Sequence, residues 1–201
     1  MECDREADLI NDLLDLQRLT SGTQSLNLEP IHLQEWVSQI ADSFQERIRS
    51  RQQVLQVEIS TELPVIMSDP TCLDRILTEL LNNACKYTPP GERIKVSTKT
   101  IRNEAETEKL PKNGLSLLSS PLSFVLDVCN FGVEIPAGEL PNIFEKFYRV
   151  PGIDRWKQGG TGLGLALVKK MTQHLGGKIY VASTANQTCF TIELPISPSI
   201  N

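Results

Sequence analysis

Two spacings of apolar residues divide the chain into helical and extended segments. Spacing of three and four predicts amphipathic helices over residues 5–19, 33–48, 70–86 and 163–175, with a short helix within 139–150. Alternation predicts strands at 54–60, 93–101, 122–129, 178–183 and 188–194, and a short apolar strand at 65–67. Residues 25–33 also alternate but contain Pro30, which favours a linker or an edge strand.

The order of these elements limits the fold. It predicts an α/β sandwich of two layers, with the helices on one face of a mixed sheet. Strands and helices do not alternate regularly, and this argues against a doubly wound nucleotide-binding fold. The 201 residues suffice for one domain with an additional helix.

Composition narrows the possible partners. The net charge is -5, and no basic run indicates nucleic-acid binding. The five cysteines form no CxxC pair, so we expect buried, unpaired thiols in a reducing compartment. Neither His32 nor His174 has metal-ligand spacing to a cysteine. No apolar stretch approaches a membrane span, so we expect a cytoplasmic fragment without membrane contact, whose parent protein could carry an anchor.

The helix over 70–86 carries a polar stripe beside its apolar face. Glu79, Asn83 and Lys86 are spaced at i, i+4 and i+7, so they share one side of the helix. A carboxylate, an amide and an ammonium group there would suit Mg²⁺ and phosphate. A solvated helix face explains the stripe equally well.

Two further segments contain glycines next to regular elements. Residues 130–136 (NFGVEIP) follow a buried strand and, taken alone, predict an ordinary turn around Gly132. Residues 159–165 (GGTGLGL) open a helix, where backbone N–H groups and the helix dipole can cradle phosphate. No Gly-Lys-Ser/Thr ends this segment, so it is not a P-loop.

Together, in this order, the three segments resemble the nucleotide-binding boxes of sensor histidine kinases, within the superfamily of DNA gyrase, Hsp90 and MutL. ELLNNACKYTP is similar to the N box, IFEKFYR at 143–149 to the F box, and GGTGLGLALVKK to the G2 box. The resemblance covers residues 31–196 and implies a Bergerat-type fold, with a mainly antiparallel sheet and three main helices on one face.

The resemblance also implies a domain organisation. Residues 1–22 resemble the end of a dimerisation helix, residues 23–30 would be a linker, and residues 31–197 would form the catalytic ATP-binding domain with a lid at 148–160.

Roles in binding Mg-ATP follow from the same resemblance. Asn83 would hold Mg²⁺ and Lys86 would reach a phosphate. Glu79 stands where ATP-hydrolysing relatives have a general base, and Lys157 is a second catalytic candidate. The remaining ATP-binding residues would be Tyr87, Asn130, Gly132, Ile135, Phe147, Arg149, Gly160, Thr161, Gly162, Leu163, Gly164, Leu165 and Thr191, with Arg155 as a further lid contact.

The sequence departs from the family pattern in the turn after the buried strand. Asn130 replaces the aspartate that accepts from the adenine amino group, which would lower affinity about tenfold. Glu134 replaces a glycine, and a positive φ there would cost roughly 1–2 kcal/mol.

The phosphoacceptor histidine with its acidic, Arg-Thr-Pro context is not found around His32 or His174. The resemblance therefore implies a domain that supplies the γ-phosphoryl group of ATP to a histidine elsewhere in a longer parent, with a response regulator as the next partner. Two alternatives stay open: a degenerate module that binds nucleotide weakly or not at all, and a self-sufficient ATPase with Glu79 as base. We expect the chain to be a monomer.

Overall fold

The computed structural model describes residues 2–22, 25–102, 122–151 and 160–196. These residues form five helices and seven strands, which we number in chain order. The helices are α1 (Glu2–Ser21), α2 (Leu33–Ser43), α3 (Gln45–Ser50), α4 (Pro70–Tyr87) and α5 (Gly164–His174). The strands are β1 (Glu29–His32), β2 (Val54–Glu58), β3 (Val65–Ser68), β4 (Arg93–Arg102), β5 (Leu122–Phe131), β6 (Lys178–Thr184) and β7 (Gln187–Pro195).

A five-stranded sheet in the order β2-β4-β5-β7-β6 forms one layer. Only β2 and β4 run parallel; the other neighbours are antiparallel. This confirms the predicted mixed, mainly antiparallel sheet. The extended segment with Pro30 forms β1, which pairs with β3 in a separate two-stranded sheet.

Helices α2, α4 and α5 form the second layer. Their apolar residues meet the inward residues of the central strands, among them Leu77, Leu167, Phe124 and Ile192, which are all fully buried. Helix α4 begins at a strong N-terminal signal, because Asp69 Oδ1 accepts from the Cys72 N–H at 3.0 Å and Pro70 follows the cap.

Two predicted helices differ in the structure. The helix expected over 33–48 is divided at Phe44, whose N–H donates to Ala41 three residues back at 3.1 Å while its ring is buried. The helix expected within 139–150 is a series of turns. Bonds such as Asn142 N–H to Glu139 O at 2.9 Å span three residues, and Pro141 has no N–H to continue a helical ladder.

Helix α1 packs against α5 through one apolar stripe. Leu16 and Leu19 are buried there, whereas Ile10 and Leu14 are 57% and 45% exposed. Helix α1 therefore has a second apolar side that the described residues do not cover. None of the helices in the described ranges is long and apolar enough to cross a membrane.

The expectation of unpaired cysteines is wrong for one pair. Cys129 of β5 and Cys189 of β7 lie directly opposite each other and are joined by a disulfide. They are 60 residues apart in sequence, so only the strand register reveals the pairing. Cys72 and Cys85 are free and buried. Burial, with Asp69 nearby, raises the pKa of Cys72 to about 12, and burial also raises the pKa of Cys85.

Candidate functional site

A cleft of 490 Å³ opens between α4, the turn after β5 and the glycine segment before α5. Its volume is typical of a site for a small molecule or cofactor. The cleft joins all three segments that sequence analysis singled out. Among the predicted site residues, Glu79, Asn83, Lys86, Tyr87, Asn130, Ile135, Arg149, Gly160, Thr161, Gly162, Gly164 and Leu165 line it.

Helix α4 contributes the polar stripe. Glu79 forms an ion pair with Arg75 at 3.2 Å, one turn earlier on the helix. Lys86 holds its ammonium group 4.8 Å above the Tyr87 ring, a cation–π contact. Asn83 lies between them and also lines the cleft. The stripe therefore faces a cavity rather than bulk solvent.

The glycine segment passes close to α4 and to the turn around Phe147. A Cβ at Gly160 would lie 2.8 Å from Lys86 Nζ, and one at Gly164 would lie 2.6 Å from Glu79 Oε2. At Gly162, φ is +75° and a Cβ would lie 2.8 Å from the backbone carbon of Phe147. The backbone contact and positive φ at residue 162 require glycine, and the close passage of the segment places the N-terminus of α5 at the cleft, where backbone N–H groups favour an anion.

Arg149 adds a second cation beside the glycine segment. Its Nη1 donates to Gly160 O at 3.4 Å. Its Nη2 is buried and has no hydrogen-bond partner among the residues that the structure describes. A buried guanidinium nitrogen is costly without a partner, so this position suits an anionic ligand.

The far end of the cleft lies under β5 and β7. Asn130 is 5% exposed and faces the cavity together with Thr188, its partner in register. Thr188 Oγ1 donates to Val133 O at 3.1 Å and lies 2.8 Å from Ser183 Oγ, which accepts from the Ile135 N–H at 2.7 Å. This chain of bonds fixes the turn that follows Asn130.

The backbone of this turn accommodates Glu134, which stands where the family has a glycine. Gly132 has φ +78°, and a Cβ there would lie 2.6 Å from Glu92 Cγ, so this glycine is required. Glu134 is not among the residues with positive φ. The backbone cost expected for a non-glycine residue at 134 is therefore not incurred. The Glu134 carboxylate accepts from the Asn186 N–H at 3.3 Å.

Four predicted residues do not line the cleft. Thr191 differs most from the prediction. Side chains of β7 alternate between the two faces of the sheet, so Thr188 and Phe190 face the cleft and Thr191 faces away from it. On that other face, Thr191 donates to Asp127 Oδ1 at 2.5 Å. Leu163 is fully buried in the core. Phe147 is 57% exposed and supports Gly162, whose carbonyl accepts from the Phe147 N–H at 3.0 Å. Gly132 supports the turn.

Some predicted residues lie outside the described ranges, and some residues that line the cleft were not predicted. Arg155, Lys157 and Gly159, and with them most of the predicted lid at 148–160, are outside the described residues. Alternation of the last strand could have identified Thr188. The other lining residues that the sequence did not indicate are Arg47, Asn82, Val133, Ile143, Tyr148, Val150 and Phe190.

The cleft fits a nucleotide with Mg²⁺ better than a metal held by protein alone. No group of three or more His, Cys, Asp or Glu side chains that could hold a metal occurs within the described ranges. Mg²⁺ bound through phosphate needs few protein ligands, and the Asn83 amide oxygen is a suitable one. Lys86 and the buried Arg149 nitrogen would balance phosphate charge.

Comparisons with known proteins agree with this geometry. The family described as "Histidine kinase-, DNA gyrase B-, and HSP90-like ATPase" matches residues 68–198. The circadian input-output histidine kinase CikA of Synechococcus elongatus is 32% identical over 191 residues, which cover 94% of this chain and 23% of CikA.

Two solved structures share the fold. Full-length ShkA in complex with AMPPNP matches with a TM-score of 0.77 at 23% identity, over 98% of this chain and 37% of that one. Histidine kinase ThkA in complex with response regulator protein TrrA matches with a TM-score of 0.70 at 21% identity, over 100% of this chain and 50% of that one.

The chain spans 23%, 21% and 12% of the length of three curated relatives, the first of which is CikA. The family match covers the N-box helix, the turn after β5 and the glycine loop, which are the three segments that meet at the cleft. On this evidence, the chain belongs to the family of histidine kinase-, DNA gyrase B- and HSP90-like ATPases and carries a histidine kinase catalytic domain.

Proposed function

We propose that the chain binds Mg-ATP and, within a longer parent protein, supplies the γ-phosphoryl group to a histidine on a dimerisation domain. The observation that carries the proposal is that two cationic side chains, Lys86 and Arg149, both lie next to Gly160 of the glycine loop. Lys86 Nζ lies beside Gly160, and Arg149 donates from Nη1 to the Gly160 carbonyl while its buried Nη2 has no partner among the described residues. Such a site stabilises phosphate charge by position and electrostatics.

Each residue has a defined part in this proposal. Asn83 would hold Mg²⁺, which neutralises phosphate charge when it is bound. Lys86 and Arg149 would contact the outer phosphates, and the N–H groups at the start of α5 would contact the inner ones. The Asn130 amide oxygen would accept from the adenine amino group at the far end of the cleft.

The relatives support the proposal by what their names state. CikA is a histidine kinase, ShkA was solved with the ATP analogue AMPPNP, and ThkA was solved with a response regulator. For this chain we infer ATP as ligand, an upstream histidine as acceptor, a response regulator as later partner and a cytoplasmic location. Residues 1–22 would then be the end of a dimerisation helix, 23–30 a linker, and 31–197 the catalytic domain.

One observation bears on the ATPase alternative. Glu79 lines the cleft, but its carboxylate pairs with Arg75 at 3.2 Å. The carboxylate is thus engaged with a neighbouring side chain on its own helix. We therefore assign Glu79 a positioning role. Steady phosphate release from Mg-ATP by the isolated chain, abolished in Glu79→Ala, would instead support a self-sufficient ATPase.

The first test is calorimetric titration of Mg-ATP and Mg-ADP into the wild-type chain and Asn83→Ala. Because Asn130 lacks the charge of an aspartate, we expect dissociation constants from roughly micromolar to sub-millimolar. We expect Asn83→Ala to lose most of this affinity. Asn142→Ala is the matched control, because Asn142 is exposed and does not line the cleft.

A folded wild-type chain that gives no heat at millimolar nucleotide would favour the degenerate module. Phosphoryl transfer needs a second polypeptide, a dimerisation domain with its histidine. Acid-labile phosphate on that polypeptide, formed only with Mg-ATP and the wild-type chain, is the expected product. Its absence when nucleotide binds normally would refute the kinase step alone.

A further inference from the structure

Cys129 and Cys189 lie on the outer face of the sheet, away from the helices. In register, Lys95 of β4 is opposite Cys129, and Cys129 is opposite Cys189. The neighbouring residues Val128 and Phe190 point to the other face and are buried in the core. A shallow concavity of 470 Å³ on the outer face is lined by both cysteines; Cys189 is partly exposed and Cys129 is buried, so a small molecule reaches Cys189 first.

A hydrogen-bond donor on the same strand supports a thiolate at Cys189. Lys95 is opposite Cys129 in register, but its ammonium group pairs at 2.7 Å with Glu58 of β2, on the other side of β4. Gln187 Nε2 donates to Cys189 Sγ at 2.8 Å. Cations and hydrogen-bond donors stabilise the thiolate, which is the form that attacks a disulfide. Cys72 and Cys85 are buried and do not line this concavity.

The pair is also adjacent to the nucleotide site along both strands. Cys129 precedes Asn130, and Cys189 follows Thr188; Asn130 and Thr188 are themselves partners in register. The side chains of Asn130 and Thr188 point into the cleft from the opposite face of the same two strands. A covalent link between the cysteines therefore holds together the strand positions that carry the base end of the cleft.

We propose that Cys129 and Cys189 form a reversible thiol-oxidation site whose oxidant is a low-molecular-weight disulfide such as oxidised glutathione. The Cys189 thiolate attacks one sulfur of the oxidant and releases one reduced thiol. The Cys129 thiolate then attacks the mixed disulfide and releases the second. Two protein thiols lose two electrons and two protons, and one oxidant molecule becomes two thiols.

The consequence for ligand binding rests on the proposed function. The disulfide adds a covalent link to the paired strands β5 and β7 beside Asn130 and Thr188, so it restricts local motion of these two positions in the oxidised chain. A more rigid site loses less freedom on binding. We therefore expect the oxidised chain to bind Mg-ATP roughly threefold more tightly or better than the reduced chain.

The test equilibrates the chain, in a Cys3→Ser background, with glutathione buffers of graded oxidation. Alkylation under denaturing conditions and intact mass then count free thiols. We expect two thiols to be lost together, regained with dithiothreitol, and unaffected by the control Cys72→Ala. In Cys129→Ser and Cys189→Ser the paired loss should disappear. Circular dichroism verifies that each variant is folded.

Calorimetry with Mg-ATP on the oxidised and reduced forms measures the coupling. The affinity difference should appear in the wild-type background and vanish in Cys129→Ser/Cys189→Ser. A folded chain whose thiols stay reduced in oxidised glutathione would overturn the oxidation site. Equal affinity of the two forms would overturn the coupling. Absence of binding by both forms would refute the proposed function, while the thiol count would still judge the oxidation site.

Discussion

Gly164 and Glu79 are packed so closely that a Cβ at residue 164 would lie 2.6 Å from the Glu79 Oε2 atom. The other oxygen of the same carboxylate pairs with Arg75 at 3.2 Å, so moving Glu79 would also change this ion pair. The first residue of α5 is thus seated directly on the polar side of α4. This contact sets how near the N-terminus of α5 comes to any ligand in the cleft.

Gly164→Ala should therefore weaken Mg-ATP binding. The added methyl must displace either the carboxylate or the helix end, and we expect a loss of about tenfold in affinity. Calorimetry measures the change. Gly138→Ala is the matched control, because a Cβ there meets nothing within 4 Å. Unchanged affinity in Gly164→Ala would show that the helix end does not contact the nucleotide.

A second prediction compares one threonine on each face of β7. Thr188→Val removes the bond to Val133 O that fixes the turn after Asn130, and it should lower nucleotide affinity roughly fivefold to tenfold. Thr191→Val changes the same residue type on the outer face and should leave the affinity unaltered. The reverse ranking of the two variants would restore the original assignment of Thr191 to the base site.

A third prediction concerns helix α1 and the glycine loop. One Asp12 oxygen is in a short contact with Arg75 Nη2, and the other lies 3.5 Å from the Thr161 hydroxyl. Asp12→Asn should weaken both contacts and free the loop. We expect faster hydrogen exchange at residues 160–164 and a thermal midpoint lowered by a few degrees.

The control for that experiment is Asp15→Asn, which removes the same charge one turn along α1. Exchange at the loop should be as in the wild-type chain. If Asp12→Asn leaves the loop equally protected, the carboxylate does not stabilise it.

The fourth prediction is a stability change at alkaline pH. Burial raises the pKa of the Cys72 thiol from 9.0 to about 12, so the folded chain holds this proton more tightly than the unfolded chain. The contribution to the free energy of unfolding is complete below pH 9 and falls as the pH rises toward 12. The loss should approach ~1.4 kcal/mol per pH unit.

Urea denaturation at pH 8 and pH 10 measures this slope. Cys72→Ala is less stable at both values, but its stability should decline less between them. Equal slopes in the two chains would mean that the Cys72 proton does not contribute.

Local patterns in the sequence were sufficient for most elements and for one side of the cleft. The stripe of Glu79, Asn83 and Lys86 depends only on helix periodicity, so it was predictable. The pairing of Cys129 with Cys189 and the exclusion of Thr191 depend on strand register and facing, which bring together distant residues. Arg47, which lines the cleft, belongs to the separate helix α3 that begins after Phe44. The apolar spacing predicted one continuous helix and did not reveal this break.

Helix α1 is continuous over 20 residues and packs on the core through Leu16 and Leu19, with Leu9 and Leu13 also against it. Ile10 and Leu14 leave the other side open to a partner. Asp12 connects this helix to Arg75 of α4 and to Thr161 of the glycine segment. A displacement of α1 would therefore change, through one carboxylate, the contacts at the edge of the cleft.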